Sequence, residues 1–383
     1  MQFTFTPEQL LIREAAQDFF REHGSAQRVR AAMETKLGYD EETWQAMAQE
    51  MGWTGITLPE SCGGMGLGHV ELAILQEEAG RWVHPSPFFN TVCLAAPAIL
   101  LAATPAQREA LLRGIAEGRT RAALVLTGPE GKPGLDGIGI TLKKGPRGFT
   151  LSGVASYVVY GHAADLLVVA ARAPRSRGTA GVSLVALPAD TAGVSIEKLV
   201  TLDLTRPMAR ITFNRVSVAA EQILGEEGAA AEALQTALRR AQIALAAEQT
   251  GGAQAALDLT VAYAKERVQF GRIIGSFQAV KHRLADMMVE VESARSAAYY
   301  AACVADESSE ELPEAAAIAK ARCSDVFFKC AADMIQLHGG IGFTWEHQAH
   351  LYFKRARAST TLLGTPQHHR EALASMIGLG SLA

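Results

Sequence analysis

The hydrophobic period of this chain changes twice, and that constrains its fold more than any single motif. Up to about residue 120 the apolar residues recur at helical spacing, in segments 7–22, 40–51 and 69–82 and in an Ala/Leu-rich pair over 91–117. From about 121 to 225 the pattern becomes short β-rich runs broken by Gly and Pro. Ala123-Leu124-Val125-Leu126, Asp165-Leu166-Leu167-Val168-Val169, Val182-Ser183-Leu184-Val185-Ala186 and the alternating Ile211-Thr212-Phe213 are examples. From about 226 onward long helical patterns return. One starts near Ser276 and puts Phe277, Val280, Leu284, Met287, Val291 and Ala294 on one stripe; another begins at Pro313 and stops at Gly339-Gly340. The pattern predicts helical, β and helical domains over 1–120, 121–225 and 226–383.

Composition narrows the function classes. Hydrophobic residues make up 49% and charged residues 20% of 383, enough for a large core and against wholesale disorder. The net charge of −4 gives no pull towards nucleic acid or an anionic membrane. No uncharged apolar run approaches the roughly 20 residues a membrane helix needs. The start is not patterned as an export signal and reads instead as a capped helix: Thr6 as N-cap, Pro7 in the first turn, Gln9 closing a capping box. Five scattered cysteines (Cys62, Cys93, Cys303, Cys323, Cys330) argue against a disulfide framework or zinc site, and a cytoplasmic setting fits.

Several stretches invite a ligand. Gly64-Met65-Gly66-Leu67-Gly68 lacks the βαβ context of a nucleotide loop and is expected to be structural. His347, His350, His368 and His369 lack a complementary ligand set for metal and read as hydrogen-bonded or surface histidines. Lys354-Arg355-Ala356-Arg357 reads as a solvated or subunit-facing basic turn, and the acidic stretch 305–313 as an exposed connection. Two segments are harder to dismiss. In Arg267-Val268-Gln269-Phe270-Gly271, followed by Ile274 to His282, an arginine and an aromatic three apart at a helix end suit an anion beside a flat ring. In Gln336-Leu337-His338-Gly339-Gly340-Ile341-Gly342, paired glycines free backbone N–H groups and admit a ligand close to the main chain.

These two segments, with Leu58 to Gly68 and Glu77-Glu78-Ala79-Gly80-Arg81 before them, resemble the acyl-CoA dehydrogenase family along essentially the whole chain. The resemblance implies an α+β multidomain fold: an N-terminal helical domain, a middle β-barrel or sandwich, and a C-terminal four-helix bundle with flavin-binding and oligomer interfaces. It implies FAD, shared between neighbouring subunits. Arg267 would contact its diphosphate, Phe270 and Gln278 its adenosine side, and Gln336, His338, Gly339 and Gly340 the same half.

The other half departs from the family pattern. The loop that holds flavin and thioester in the family matches Thr127 to Gly134, with only the threonine kept. The Trp-Ile-Thr strand becomes Tyr157-Val158-Val159, which removes a hydroxyl. Family chemistry takes the α proton of an acyl-CoA with a carboxylate, a general base worth about 10²–10⁴-fold. Leu363 occupies its usual position and Ala241 the alternative one, while Gln242 replaces an arginine that helps hold CoA. Catalytic residues of its own are therefore not expected, unless Glu248 or another carboxylate substitutes.

The resemblance implies a non-catalytic partner completing the FAD site of a catalytic subunit in an α2β2 tetramer, with an electron-transferring flavoprotein as acceptor. Trp345-Glu346-His347 and Phe353-Lys354-Arg355-Ala356 look like the partner subunits of steroid-type enzymes. The alternatives are a self-sufficient homo-oligomer with a relocated base and a flavin-free assembly protein.

Overall fold

A computed structural model describes residues 4–146, 148–307 and 310–379. Met1 to Phe3, part of the expected capped start, and residues 308–309 of the expected acidic connection lie outside them. The chain forms two compact units, one of residues 1–31, 69–84 and 242–383 and one of 32–68 and 85–241.

The first unit is helical. Helix α1 (Pro7–His23) starts with the predicted capping box, the Thr6 side chain accepting from Gln9 N–H and the Gln9 side chain accepting from Thr6 N–H. Helix α2 (Ala26–Glu34) begins in this unit. In the second unit, α3 (Glu41–Gln45) is capped by Asp40 and runs on as a π-helical turn over Ala46–Glu50. Back in the first unit, α4 (His69–Arg81) buries Leu72, Ile74 and Leu75. The second unit continues with a π-helical turn over Phe89–Ala95, α5 (Ala96–Ala102) and α6 (Pro105–Ala116), which has its own Thr104–Gln107 capping box.

Among the described residues nine strands follow, seven of them in one mixed sheet: β1 (Ala122–Val125), β2 (Ile140–Gly145), β3 (Gly148–Val159), β4 (Leu166–Arg172), β5 (Val182–Pro188), β6 (Val194–Lys198) and β7 (Met208–Val218). The order β1-β4-β2-β3-β7-β6, with β5 added on β4, mixes parallel β1–β4 and β2–β4 contacts with antiparallel ladders. One face of six strands meets in a single core, with Val125, Leu142, Leu151, Val169, Val185 and Phe213 inside. This is one sheet wrapped about its own core, and it is the middle β domain that the period change predicts.

Helix α7 (Ala231–Glu266) continues into the first unit, where the two-residue strands β8 (Val268–Gln269) and β9 (Arg272–Ile273) pair as a hairpin. There follow α8 (Gln278–Glu307), α9 (Leu312–His338), α10 (Ala349–Thr361) and α11 (Pro366–Met376), with α9 packed against α8, α10 and α11. On the predicted stripe of α8, Met287, Val291 and Ala294 are buried and the earlier residues half-buried. Helices α4 and α7 touch main chain to main chain. A Cβ on Gly80 would lie 2.0 Å from the Glu248 carbonyl oxygen, and one on Gly251 1.8 Å from that of Glu77. No helix of the described residues is long and apolar enough to cross a membrane.

Candidate functional site

The first predicted segment forms a projecting hairpin. Arg267 directly follows α7; its N–H donates to Tyr263 O at 2.9 Å and its carbonyl accepts from Ile274 N–H at 2.8 Å. The turn between β8 and β9 is Phe270-Gly271, with φ of 54° and 76°. Two successive positive φ values suit a two-residue hairpin, but a bulky residue pays strain in the first. Phe270 is 91% exposed, at the hairpin tip and not on a helix as the spacing suggested. Its ring meets Phe277 edge to face at 6.2 Å, and the Arg272 guanidinium lies 4.0 Å from the Phe277 ring centre. Arg267 and Gln278, the first residue of α8, are exposed.

The second segment closes α9. Gly339 has φ 64° and ψ −143°, a region open essentially only to glycine, and its N–H donates to the Gln336 and Ile335 carbonyls. A Cβ built on Gly339 or Gly340 meets nothing within 4 Å, so the main chain there is open to an approaching group. Gln336 points to solvent, whereas His338 is buried. The His338 ring stacks on Tyr263 at 4.3 Å, and the Tyr263 hydroxyl donates to the His338 carbonyl at 3.4 Å. Tyr263 thus joins the two segments. The N–H of Gly339, engaged at the end of α9, is not free as the paired glycines suggested. The exposed Arg267 guanidinium, the exposed Phe270 ring and the sterically open glycines on one unit still suit an anionic, flat ligand such as a nucleotide diphosphate.

The turn expected to carry the base is intact in backbone. Leu363 has φ 60° and Gly364 φ 106°. The Leu363 carbonyl accepts from Gln242 Nε2 at 3.4 Å and lies 3.1 Å from His369 Nε2. Gln242 therefore braces this turn. Beneath it, fully buried Lys320 donates to Ser324 Oγ at 2.8 Å and to the carbonyls of Ser359, Thr360 and Gly364 at 3.2 to 3.4 Å. Burial pushes Lys320 down to about 7 and His369 down to about 4.

Glu248, the carboxylate expected as a possible substitute base, is buried, and its Oε1 accepts from Arg355 Nη1 at 2.9 Å, with both side chains at most 5% exposed. Removing either partner would leave the other charge buried and uncompensated. Arg355 also donates to the Val83 and His84 carbonyls, so Lys354 to Arg357, expected as a solvated or subunit-facing basic turn, lies on helix α10 with Arg355 buried and Arg357 exposed. Ala241, the other candidate position, is fully buried.

In the second unit the Thr127–Gly134 loop is tied at its start to Gly137 and to β3. Gly128 N–H donates to Gly137 O at 2.6 Å, Thr127 O accepts from Ser156 N–H, and Glu130 pairs with Lys132 at the surface. Tyr157 sits in the irregularity between Ala155 and Val158 with φ 62° and is half exposed. Val158 and Val159 are buried, and Asn90 Nδ2 donates to the Val159 carbonyl. No side-chain hydroxyl stands at 158 or 159 to bond a flavin ring.

Residues 6–119 match the acyl-CoA dehydrogenase N-terminal domain and residues 231–378 the acyl-CoA dehydrogenase C-terminal domain. The acyl-CoA dehydrogenase IpdE2 of Mycobacterium tuberculosis is 36% identical, covering 97% of this chain and 97% of its own. The chain belongs to the acyl-CoA dehydrogenase family. Among solved structures, the Tcur3481-Tcur3483 steroid acyl-CoA dehydrogenase is 33% identical at a TM-score of 0.87, covering 98% of this chain and 99% of its own. An FAD-dependent dehydrogenase is 26% identical at 0.88, covering 99% and 100%. Acyl-CoA dehydrogenases are oxidoreductases acting on CH–CH bonds.

Within this family member, sequence reasoning passed over Tyr263, Lys320 and Arg30, whose Nη2 donates to the His347 carbonyl across 317 positions at 3.1 Å. Tyr263, one helical turn before Arg267, carried the only local signal. Gly64 to Gly68 is structural, as expected: Met65, Gly66 and Leu67 donate N–H bonds to the carbonyls of Gly55, Leu58 and Ile56. No group of three or more His, Cys, Asp or Glu among the described residues could hold a metal ion.

Proposed function

We propose that this chain is the non-catalytic partner in a heteromeric, FAD-dependent acyl-CoA dehydrogenase, an α2β2 tetramer acting on a bulky, steroid-type CoA thioester. One observation carries the reading: Leu363 occupies the braced turn where a carboxylate would be needed, and Glu248 is engaged by Arg355. An alkyl side chain cannot accept the α proton. FAD, when bound, would supply the hydride acceptor for the β carbon. The residues fitting the cofactor are the outward-facing ones. Arg267 would grip the diphosphate, Phe270 and Gln278 would flank the adenosine, and Gln336, Gly339 and Gly340 would line the same half with His338 behind them. All would serve the flavin of the catalytic subunit. That subunit supplies the carboxylate and the contacts to the flavin ring, which Val158 and Val159 cannot replace. The name of one solved relative, the joined Tcur3481-Tcur3483 steroid acyl-CoA dehydrogenase, agrees with a two-component steroid-type enzyme. An electron-transferring flavoprotein would take the electrons.

Flavin stoichiometry tests this. Purified alone, the chain should be colourless and inactive; co-purified with its catalytic partner it should give one FAD per two chains. One tightly bound FAD per chain, reduced by an acyl-CoA without any partner, would refute the reading.

A further inference from the structure

Two histidines at the ends of the segment between α9 and α10 have tautomers fixed in opposite senses. His338 Nδ1 lies 2.8 Å from the Met334 carbonyl. A carbonyl only accepts, so Nδ1 carries the proton and the neutral ring has a bare Nε2. That Nε2 is buried without a hydrogen-bond partner. His347 is the converse: its Nδ1 accepts from Ala349 N–H at 3.1 Å, so its neutral ring carries the proton on Nε2. The two ring centres are 4.5 Å apart. A third ring, His350, is buried with its own Nε2 unpartnered and meets Trp345 edge to face at 4.5 Å.

The charges facing these rings have one sign. Arg30, at α2, lies 5.8 Å from the Trp345 ring centre, and Lys354, on α10, lies 4.4 Å from it. Tyr263 on α7, also titratable, stacks on His338. Burial is the largest cause lowering all three histidines below their ordinary value; His347 acts further on His338, Arg30 on His347, and Lys354 and Arg30 on His350. A proton added to His338 would turn a buried bare acceptor into a buried unpaired donor. One added to His347 would break the bond from Ala349 N–H, because that ring nitrogen could no longer accept.

We propose that His338 and His347 are positioning residues that hold the Gly339–Gln348 segment closed only while both rings are neutral, making this half-site acid-labile. This rests on the proposed cofactor role only for its consequence, which is that flavin leaves as the segment opens. The opening itself is a property of this chain. Each histidine has a non-titrating substitute that keeps its Nδ1 bond. Asn at 338 can still donate to Met334 O, and Asn at 347 can still accept from Ala349 N–H.

The test is amide hydrogen exchange of the full chain over 339–348, corrected for intrinsic rates, at about pH 7.5 and about pH 4.5. The native chain should lose protection by roughly tenfold at the lower pH. His338→Asn and His347→Asn, each taken separately, should lose markedly less. Equal protection of the native chain at both pH values would overturn the proposal, as would an unchanged loss in both variants. If one variant does not fold, the other decides. Flavin retention by the complex over the same pH range is a separate readout. Segment opening without flavin loss refutes the cofactor role and leaves the histidine device standing.

Discussion

At the scale of single residues, the departures from a catalytic site are substitutions inside a preserved frame. Leu363 stands in an ordered left-handed turn, so the missing base reflects the side chain and not a collapsed loop. Leucine in that conformation costs about 1 kcal/mol, tolerable because Gln242 and Lys320 bond the turn's carbonyls. The Glu248–Arg355 pair gives a sharper prediction. Glu248→Gln leaves the guanidinium buried without its counter-charge and should destabilise the chain by about 3–5 kcal/mol in urea denaturation. A loss below about 1 kcal/mol would mean the pair is solvated. The two glycines after α9 should behave differently from each other. Gly339→Ala forces a side chain into a glycine-only conformation, at a cost of about 1–3 kcal/mol. Gly340→Ala, with open space around it, should leave the melting temperature unchanged and weaken only ligand approach.

At the scale of elements, legibility followed how local the determining contacts were. The α1 capping box lies within four residues of sequence and was read residue by residue. The ends of α9 were legible for the same reason, with Pro313 in its first turn and a glycine just past its last. Helix α2 went unread because its short, polar sequence buries little besides Val29 and Ala32. The β2–β3 pair was obscured because its outward residues include Lys143 and Lys144, and Gly145 and Gly148 end the ladder. In the candidate site the motif residues were visible, but what fixes them was not: Tyr263, Lys320 and Arg30 act over 39 or more positions. The α4–α7 crossing belongs to this scale too. Gly251→Ala must push the helices apart, since its Cβ would fall 1.8 Å from a backbone oxygen that cannot rotate away. A loss of at least about 2 kcal/mol, with an unchanged urea m-value, is expected.

At the scale of the whole molecule, the buried titratable groups combine into one stability profile. His350 and His369 are both held down at about 4, largely by burial. Between there and the ordinary value near 6.5 the unfolded chain binds protons that the folded chain refuses, so stability falls on acidification by up to about 1.4 kcal/mol per pH unit per histidine. Lys320, held at about 7, works in the same direction at higher pH. From about 7 to 10.5 only the unfolded chain keeps that proton, so stability climbs with pH. The buried thiols Cys323 and Cys330 oppose it, because burial pushes both up to about 12. Above roughly 9 the unfolded chain gives up thiol protons that the folded chain retains, and stability turns down again. Free energies of unfolding measured across pH should therefore peak on the alkaline side, near pH 9, and not at the sequence pI of about 6.2. Lys320→Met separates the contributions. It removes the rise above neutrality, leaves the His350 part of the acid limb in place while weakening the His369 part that the Lys320 charge helps to hold down, and moves the maximum down towards neutral pH. A native profile flat between about 7 and 9 would show that the four oxygens around Lys320 keep it charged in the fold as readily as water does.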